Sequence, residues 1–305
     1  MEQSYDMIII GAGPAGMSAA IYAARAGMAV LVLEKTGIQG GQVLNTYEVD
    51  NYPALPGISG FDLCMKMKEH MEKLGVKSRD GDVTEIIDQG EVKMVCTAEG
   101  NYITKTVVIA SGAHHAKLGV TGEEEFAGMG VSYCATCDGA FFRGKTTAVI
   151  GGGDVAVEDA IFLARGCEKV YVIHRRDELR AARSLQEALF KLPNVEILWD
   201  TTVDEIGGGE QVEYLKLNHV KSGEKSEIKV DGVFVAVGII PNSKAFEGFV
   251  EMDEKGYIKA GEDGCTSVAG VFAAGDVRTK QLRQIITAAA DGANAVTSAE
   301  RYLVN

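Results

Sequence analysis

The chain has no apolar run long enough to span a membrane. Stretches such as Val233 to Ile240 fall far short of the about 20 residues a membrane helix needs. Its opening residues, Met1-Glu2-Gln3-Ser4-Tyr5-Asp6, carry acids where a secretory signal carries Lys or Arg, and the apolar run after them is only Met7 to Ile10. These absences point to a cytoplasmic protein. Basic residues are outnumbered and scattered, 30 against 43 acidic, for a formal charge of −13. Such a surface is poorly suited to displacing counterions from a nucleic-acid backbone, so a macromolecular partner is expected to be a protein. Low-complexity segments are also lacking, and 305 residues with 46% hydrophobic content can fill the cores of two ordinary domains.

Cysteine is sparse. Of six, at positions 64, 96, 134, 137, 167 and 265, only one pair is close in sequence, so no disulfide framework is expected. The four unpaired ones are expected to be buried small hydrophobes. Cys134-x-x-Cys137, within "SYCATCDGAFF", admits three readings: half a zinc site, a structural staple, or a pair of sulfurs that opens and closes. Zinc requires two further ligands, yet there is no second C-x-x-C, and the five histidines (70, 114, 115, 174, 219) offer no ligand spacing beyond His114-His115. A redox role requires a nearby source of electrons.

The N-terminal segment "DMIIIGAGPAGMSAAIYAARAGMAVLVLEK" supplies one. Met7 to Ile10 is the all-apolar run of a parallel strand buried on both faces. Gly11-x-Gly13-x-x-Gly16 follows, then a helix predicted over Met17 to Ala26, stopped by Gly27, and a second strand over Val30 to Leu33. The glycines serve a tight turn, close approach to a pyrophosphate and close helix–strand packing. Glu34, 23 positions after Gly11, stands where a carboxylate accepts the ribose hydroxyls of an adenine dinucleotide.

The pattern recurs 140 residues later in "TAVIGGGDVAVEDAIFLARGCEKVYVIHRRDELR". Gly151-x-Gly153-x-x-Ala156 follows a strand ending at Ile150, with a helix predicted over Asp154 to Ala164 and a strand over Val170 to Ile173. Here 23 positions lead from Gly151 to His174, followed by Arg175 and Arg176, with Arg180 one turn on. A carboxylate would repel a 2′-phosphate, whereas guanidiniums clamp it, so the second copy is expected to prefer NADP(H) over NAD(H). Two such sites divide into a flavin held permanently and a nicotinamide that comes and goes: FAD at the first, NADPH at the second.

"TKTVVIASGAHH" (104 to 115) reads as a strand that leaves the first sheet near Gly112, and "DGVFVAVGIIPN" (231 to 242) has the same shape, broken by Pro241. An FAD domain of residues 1–115 and 244–305 is therefore expected, with a 116–243 NADPH domain inserted in it. The small residues from Thr287 onward suggest a closely packed helix starting near Arg283 and Gln284, whose positive end suits a reduced flavin.

The ordered set "GAGPAG", "GGQ", "ASGA", "CATCDG", "GGGDVAVEDA", "HRRDELRA" and "GVFAAGDV" resembles the low-molecular-weight, bacterial-type thioredoxin reductases over essentially the whole chain. The resemblance implies an α/β protein of two Rossmann-like, doubly wound, three-layer domains acting as a homodimer whose NADPH domain rotates. It implies that Cys137 takes electrons from the flavin, that Cys134 attacks the disulfide of oxidised thioredoxin, and that Asp138 is the proton-exchanging acid. FAD ligands would be Gly11, Gly13, Gly16, Glu34, Gln42, Asn51, Asp276 and Gln284; NADPH ligands would be Gly151, Gly153, Ala156, Arg175, Arg176 and Arg180. Val155 departs from the small polar residue frequent in the family and is expected to alter nicotinamide packing slightly. Rival readings are a related reductase for another thioredoxin-like or peroxiredoxin partner, a ferredoxin-fed relative, and a non-catalytic flavin redox sensor. A ferredoxin-fed relative would lack the second glycine and arginine set. A first strand beginning at about Asp6 leaves no expected room for the extra N-terminal region of a peroxiredoxin-serving module.

Overall fold

The computed structural model describes residues 4–46 and 48–304, so the opening Met1-Glu2-Gln3 lies outside the described residues. The chain forms two compact units, one running to His114 and resuming at Ile240, the other His115–Ile239.

In the first unit, β1 (Ser4–Ile10), α1 (Pro14–Arg25) and β2 (Val30–Glu34) form a parallel β-α-β repeat, followed by α2 (Gly60–Lys73), β3 (Lys77–Asp80), β4 (Val83–Asp88), β5 (Lys93–Thr97) and β6 (Gly100–Ile109). The sheet order is β3-β2-β1-β6-β5-β4. Side chains on β1 alternate between two cores, Met7 and Ile9 packing with α1 and α2 residues, Ile8 and Ile10 on the opposite face. Each such side chain taken fully out of water contributes roughly 1.5–3 kcal/mol, which is why the run is apolar throughout.

The chain leaves through β7 (Ala113–His115). The second unit contains β8 (Val131–Ser132), α3 (Ala135–Asp138), β9 (Thr146–Ile150), α4 (Asp154–Ala164), β10 (Lys169–Ile173), α5 (Arg183–Leu189) and β11 (Val195–Leu198). The remaining strands are β12 (Thr201–Gly208), β13 (Val212–His219), β14 (Lys225–Lys229) and β15 (Gly232–Val235). A parallel sheet of order β11-β10-β9-β15-β8 carries α4 and α5 on one face; β12-β13-β14 form an antiparallel sheet whose apolar side covers the other. Back in the first unit come β16 (Ile239–Pro241), β17 (Val271–Ala273) and α6 (Ile285–Val304). β6 is long enough to pair with β5 through its first half and with β17 through its second.

The fold is thus α/β, with a largely parallel sheet in the first unit, where β5 alone runs antiparallel to its neighbours β4 and β6, and an all-parallel β11-β10-β9-β15-β8 sheet in the second. One expectation is corrected: Cys64 and Cys167 are buried, but Cys96 is half-buried and Cys265 exposed. Cys96 lies on the outer side of β5, whose residues alternate in burial, and Cys265 lies in the turn region before β17.

Candidate active site

The first glycine turn is shaped by what it cannot accommodate. Gly11 has φ +101°, and a Cβ there would lie 2.5 Å from the Ala110 carbonyl oxygen; one on Gly16 would overlap the Gly11 carbonyl. Gly13, by contrast, faces open space, with nothing within 4 Å of such a Cβ. It is the N-cap of α1 and offers no side chain, so the helix's first N–H groups are left for an external acceptor. Gly40 N–H donates to the Ala12 carbonyl (2.8 Å), which brings Gly40-Gly41-Gln42 over the turn with Gln42 exposed. Glu34 ends β2 nearly buried; Oε2 accepts from Ala12 N–H (2.7 Å) and Oε1 from the N–H and hydroxyl of Thr36 (3.0 and 2.9 Å).

Other expected flavin ligands gather nearby. Asn51 Nδ2 donates to Gln284 Oε1 (2.9 Å). Asp276 sits on a short 3-10 turn, Gly275–Val277, packed on the start of α1: a Cβ on Gly275 would lie 2.9 Å from that of Ala15. Asp276 Oδ1 is buried with no hydrogen-bond partner. Burial pushes this carboxyl above its usual range, Lys280 and Arg283 pull it back, and Asp291 adds to the rise. An unpartnered buried acceptor beside an open helix start fits a ligand that brings hydroxyl donors and a pyrophosphate, as FAD does.

Sequence reasoning missed Asp291, the anchor of this turn. Its Oδ2 accepts from Gly275 N–H (2.9 Å), Arg278 Nε (2.9 Å) and Lys280 Nζ (2.8 Å), and its Oδ1 from Arg278 Nη2 (2.6 Å). Burial opposes its charge, but the bonds from Arg278 and Lys280 outweigh that and hold its carboxyl below the usual range. The available signal was a single carboxylate in the otherwise small and apolar run "TAAADGANAV".

The second glycine turn repeats the geometry. Gly151 has φ +154° and a Cβ on it would overlap the Ala236 carbonyl, while Gly153 is open and caps α4 without a side chain. Ala156 is buried beneath. Gly152 must be bare for a reason the motif does not state: the His174 ring occupies the position its Cβ would take. Beyond the turn lies a cavity of about 330 Å3 whose walls include Gly151, Gly152, His174, Arg175 and Arg180. Arg176 is exposed beside it and is not a wall residue. Among the described residues no ion pair engages Arg175, Arg176 or Arg180, and Arg180 is fixed by its N–H donating to the Gly152 carbonyl (2.7 Å). His174 is 5% exposed and its Nε2 has no partner. Burial lowers its pKa, a backbone bond to Glu178 opposes this, and the three arginines lower it further, so the ring is held neutral. An uncapped helix start, free guanidiniums and an unpartnered ring nitrogen fit a phosphorylated dinucleotide. Val155, the departure noted above, is exposed.

The cysteine pair lies in the same unit, where β8 runs into α3. Cys134 and Cys137 form a disulfide with Cα atoms 5.3 Å apart, and both are half-buried. Ser132 Oγ donates to Asp138 Oδ2 (2.6 Å) and accepts from Cys134 N–H (3.1 Å), so one hydroxyl ties the acid to the first cysteine. Burial raises the Asp138 carboxyl above its usual range, against the pull of the Ser132 bond. The arrangement offers a cleavable S–S bond and a carboxyl able to hold a proton closer to neutrality than an exposed one.

Residues 5–292 match the family model described as pyridine nucleotide-disulphide oxidoreductase. Thioredoxin reductase from Listeria innocua is 48% identical over 99% of this chain and 95% of its own length, and that from Bacillus subtilis is 48% identical over 99% and 96%. The crystal structure of thioredoxin reductase from Streptococcus pyogenes superposes with a TM-score of 0.94 at 45% identity, covering 100% of this chain and 99% of that one. The chain belongs to the pyridine nucleotide-disulphide oxidoreductase family, and within it to the thioredoxin reductases.

Proposed function

We propose that the chain carries electrons from NADPH, through FAD, to the Cys134–Cys137 pair and on to oxidised thioredoxin. The observation that supports this most is the presence, in one unit, of a half-buried disulfide beside a raised carboxyl and a cavity walled by Arg175 and Arg180. In this reading the unit of residues 1–115 and 244–305 holds FAD and the 116–243 segment is the NADPH domain.

Gly11 and Gly16 shape the turn and Gly13 would leave room for the FAD pyrophosphate at the start of α1; Glu34 and Gln42, with Asp276, Asn51 and Gln284, would hold the rest of the cofactor. When bound, FAD supplies the exchange of a hydride for two electrons that a disulfide accepts. Gly151, Gly153 and Ala156 allow the NADPH pyrophosphate onto the start of α4, and Arg175, Arg176 and Arg180 receive its 2′-phosphate. Two electrons and two protons open the disulfide to two thiols. Cys134, as thiolate, attacks the thioredoxin disulfide to give a mixed disulfide; Cys137 then attacks Cys134, re-forming the internal bond and releasing thioredoxin as a dithiol. Asp138 holds the proton exchanged between these sulfurs. The same reading makes the protein a cytoplasmic homodimer.

The nucleotide assignment is tested by mixing FAD-loaded protein with NADPH or NADH and following flavin absorbance. Charge-assisted bonds contribute about 1.5–3 kcal/mol each, so NADPH should be favoured by roughly 100-fold or more in kcat/KM. An Arg175→Ala/Arg180→Ala variant should lose most of that preference through NADPH and leave NADH unchanged; equal rates with both nucleotides in the unaltered protein would contradict the assignment.

A further inference from the structure

Ten residues before Tyr133, Glu123 is a carboxylate with 1% of its surface exposed and no cation among its hydrogen-bond donors. Three donors converge on it: Leu118 N–H on Oε1 (2.9 Å), Gly119 N–H on Oε2 (2.7 Å) and the Tyr133 hydroxyl on Oε1 (2.9 Å). Lys117 acts on this carboxylate only through space, its ion pair being with Glu124, so the hydrogen bonds come from these neutral donors, and each one lost leaves a costly buried acceptor. The donors come from two places of chemical interest. Leu118 and Gly119 belong to the segment whose Lys117, Leu118 and Val120 form one wall of the cavity, and Tyr133 immediately precedes Cys134.

The segment between is not slack. Thr121 accepts from Ile206 N–H (2.9 Å) on β12, and Gly122, at φ +85°, lies so close to β12 that a Cβ would overlap the Ile206 carbonyl. The neighbouring cavity wall is the start of that same strand, Thr201 to Val203. On the other side of Tyr133 the His115 ring is stacked, centroids 5.2 Å apart. Besides a contact of its own sulfur with the Thr136 hydroxyl (3.4 Å), Cys134 is flanked by two links: backward through Tyr133 to Glu123, and sideways through Ser132 to Asp138.

We propose that Glu123 is a positioning residue that couples the nucleotide cavity to the redox pair, through Tyr133, so that occupancy of the cavity favours the reduced state of Cys134 and Cys137. The direction follows from the bonding. While the disulfide is closed, Cys137 fixes Cys134 covalently; once two electrons and two protons open it, Cys134 is held only through non-covalent links, of which Tyr133–Glu123 is the one that reaches the cavity wall. An occupant that orders the 117–120 wall orders the Glu123 cradle, which reduces what the opened state loses in conformational entropy. By linkage, the reduced protein binds the occupant more tightly by the same factor. The proposal rests on the nucleotide reading of the cavity.

The test uses FAD-loaded full-length protein and adenosine 2′,5′-bisphosphate, which carries the phosphates and no nicotinamide. Its affinity is measured by calorimetry with the pair oxidised and fully reduced, in the unaltered protein, Tyr133→Phe and Glu123→Gln; flavin reduction is common to all three. The unaltered protein should bind about fivefold more tightly when reduced, and cysteine-alkylation titrations read peptide by peptide should show the pair's midpoint raised by about 20 mV in the ligand's presence. Both variants should lose this difference while keeping their affinity in the oxidised state, an outcome that loss of packing alone does not give. Tyr133→Phe removes one hydroxyl and carries the test if Glu123→Gln fails to fold. Equal affinity in both states, or undiminished coupling in Tyr133→Phe, overturns the proposal and leaves the nucleotide reading intact. No binding in either state overturns the nucleotide reading itself, and the proposal with it.

Discussion

At the scale of single residues, function depends on polar groups whose surroundings do not fully satisfy them. Asp276 and His174 each present a buried atom with no partner, Oδ1 and Nε2, at the ends of the two glycine turns. Asp138 is a half-buried carboxyl whose charged form is supported by the hydrogen bond from Ser132 but disfavoured more by burial. Because burial raises its pKa, its acid form persists to higher pH than that of an exposed aspartate and is lost as pH rises through the raised value. Turnover steps that need a proton from Asp138 should therefore slow on the alkaline side of that titration. Asp138→Asn should flatten that limb of the kcat profile and lower kcat by roughly 100-fold, within the range for loss of a general acid. An unchanged pH profile would remove Asp138 from the proton path.

At the scale of elements, the glycine turns are rigid parts. Gly16→Ala places a Cβ on the Gly11 carbonyl and displaces α1 from β1, so the variant should lose about 1–3 kcal/mol of stability and release FAD on gel filtration. Asp159 on α4 adds a pH-dependent term: burial, then the neighbouring Glu158, raise its carboxyl to about 7. A raised carboxyl favours the folded state at low pH, and that contribution is lost as pH rises through the folded value. Asp159→Asn should accordingly raise the melting temperature relative to the unaltered protein more at about pH 8 than at about pH 5. Several elements were legible in the sequence. α4 runs from Asp154 to Ala164 as its start and stop residues predict. α1 begins at Pro14, three residues before the predicted Met17, because proline is well suited to a first helical turn. β12 to β14 went unread, since their alternation serves a sheet laid over another sheet, a long-range arrangement without a local motif. Asp291 and Glu123 were missed for the same reason: the partners of Asp291 lie 11, 13 and 16 residues away and Tyr133 lies 10 from Glu123, at spacings no motif records.

At the scale of the whole molecule, the duplicated ruler of 23 residues ends once in Glu34 and once in His174-Arg175-Arg176, a difference of charge on which the proposed assignment of FAD and NADPH rests. The acidic net charge of −13 leaves the cavity arginines as a local exception. Thioredoxin sits near −270 mV, and about 30 mV corresponds to tenfold in equilibrium for two electrons, so only a slightly more reducing pair is needed to drive transfer. The central claim is that electrons from NADPH reach a thioredoxin disulfide through Cys134 and Cys137. The most direct measurement is NADPH consumption by the FAD-loaded protein with and without oxidised thioredoxin, alongside Cys137→Ser. Turnover should require thioredoxin and fall to background in Cys137→Ser, whose flavin NADPH should still reduce; thioredoxin reduction that persists in Cys137→Ser would contradict the account.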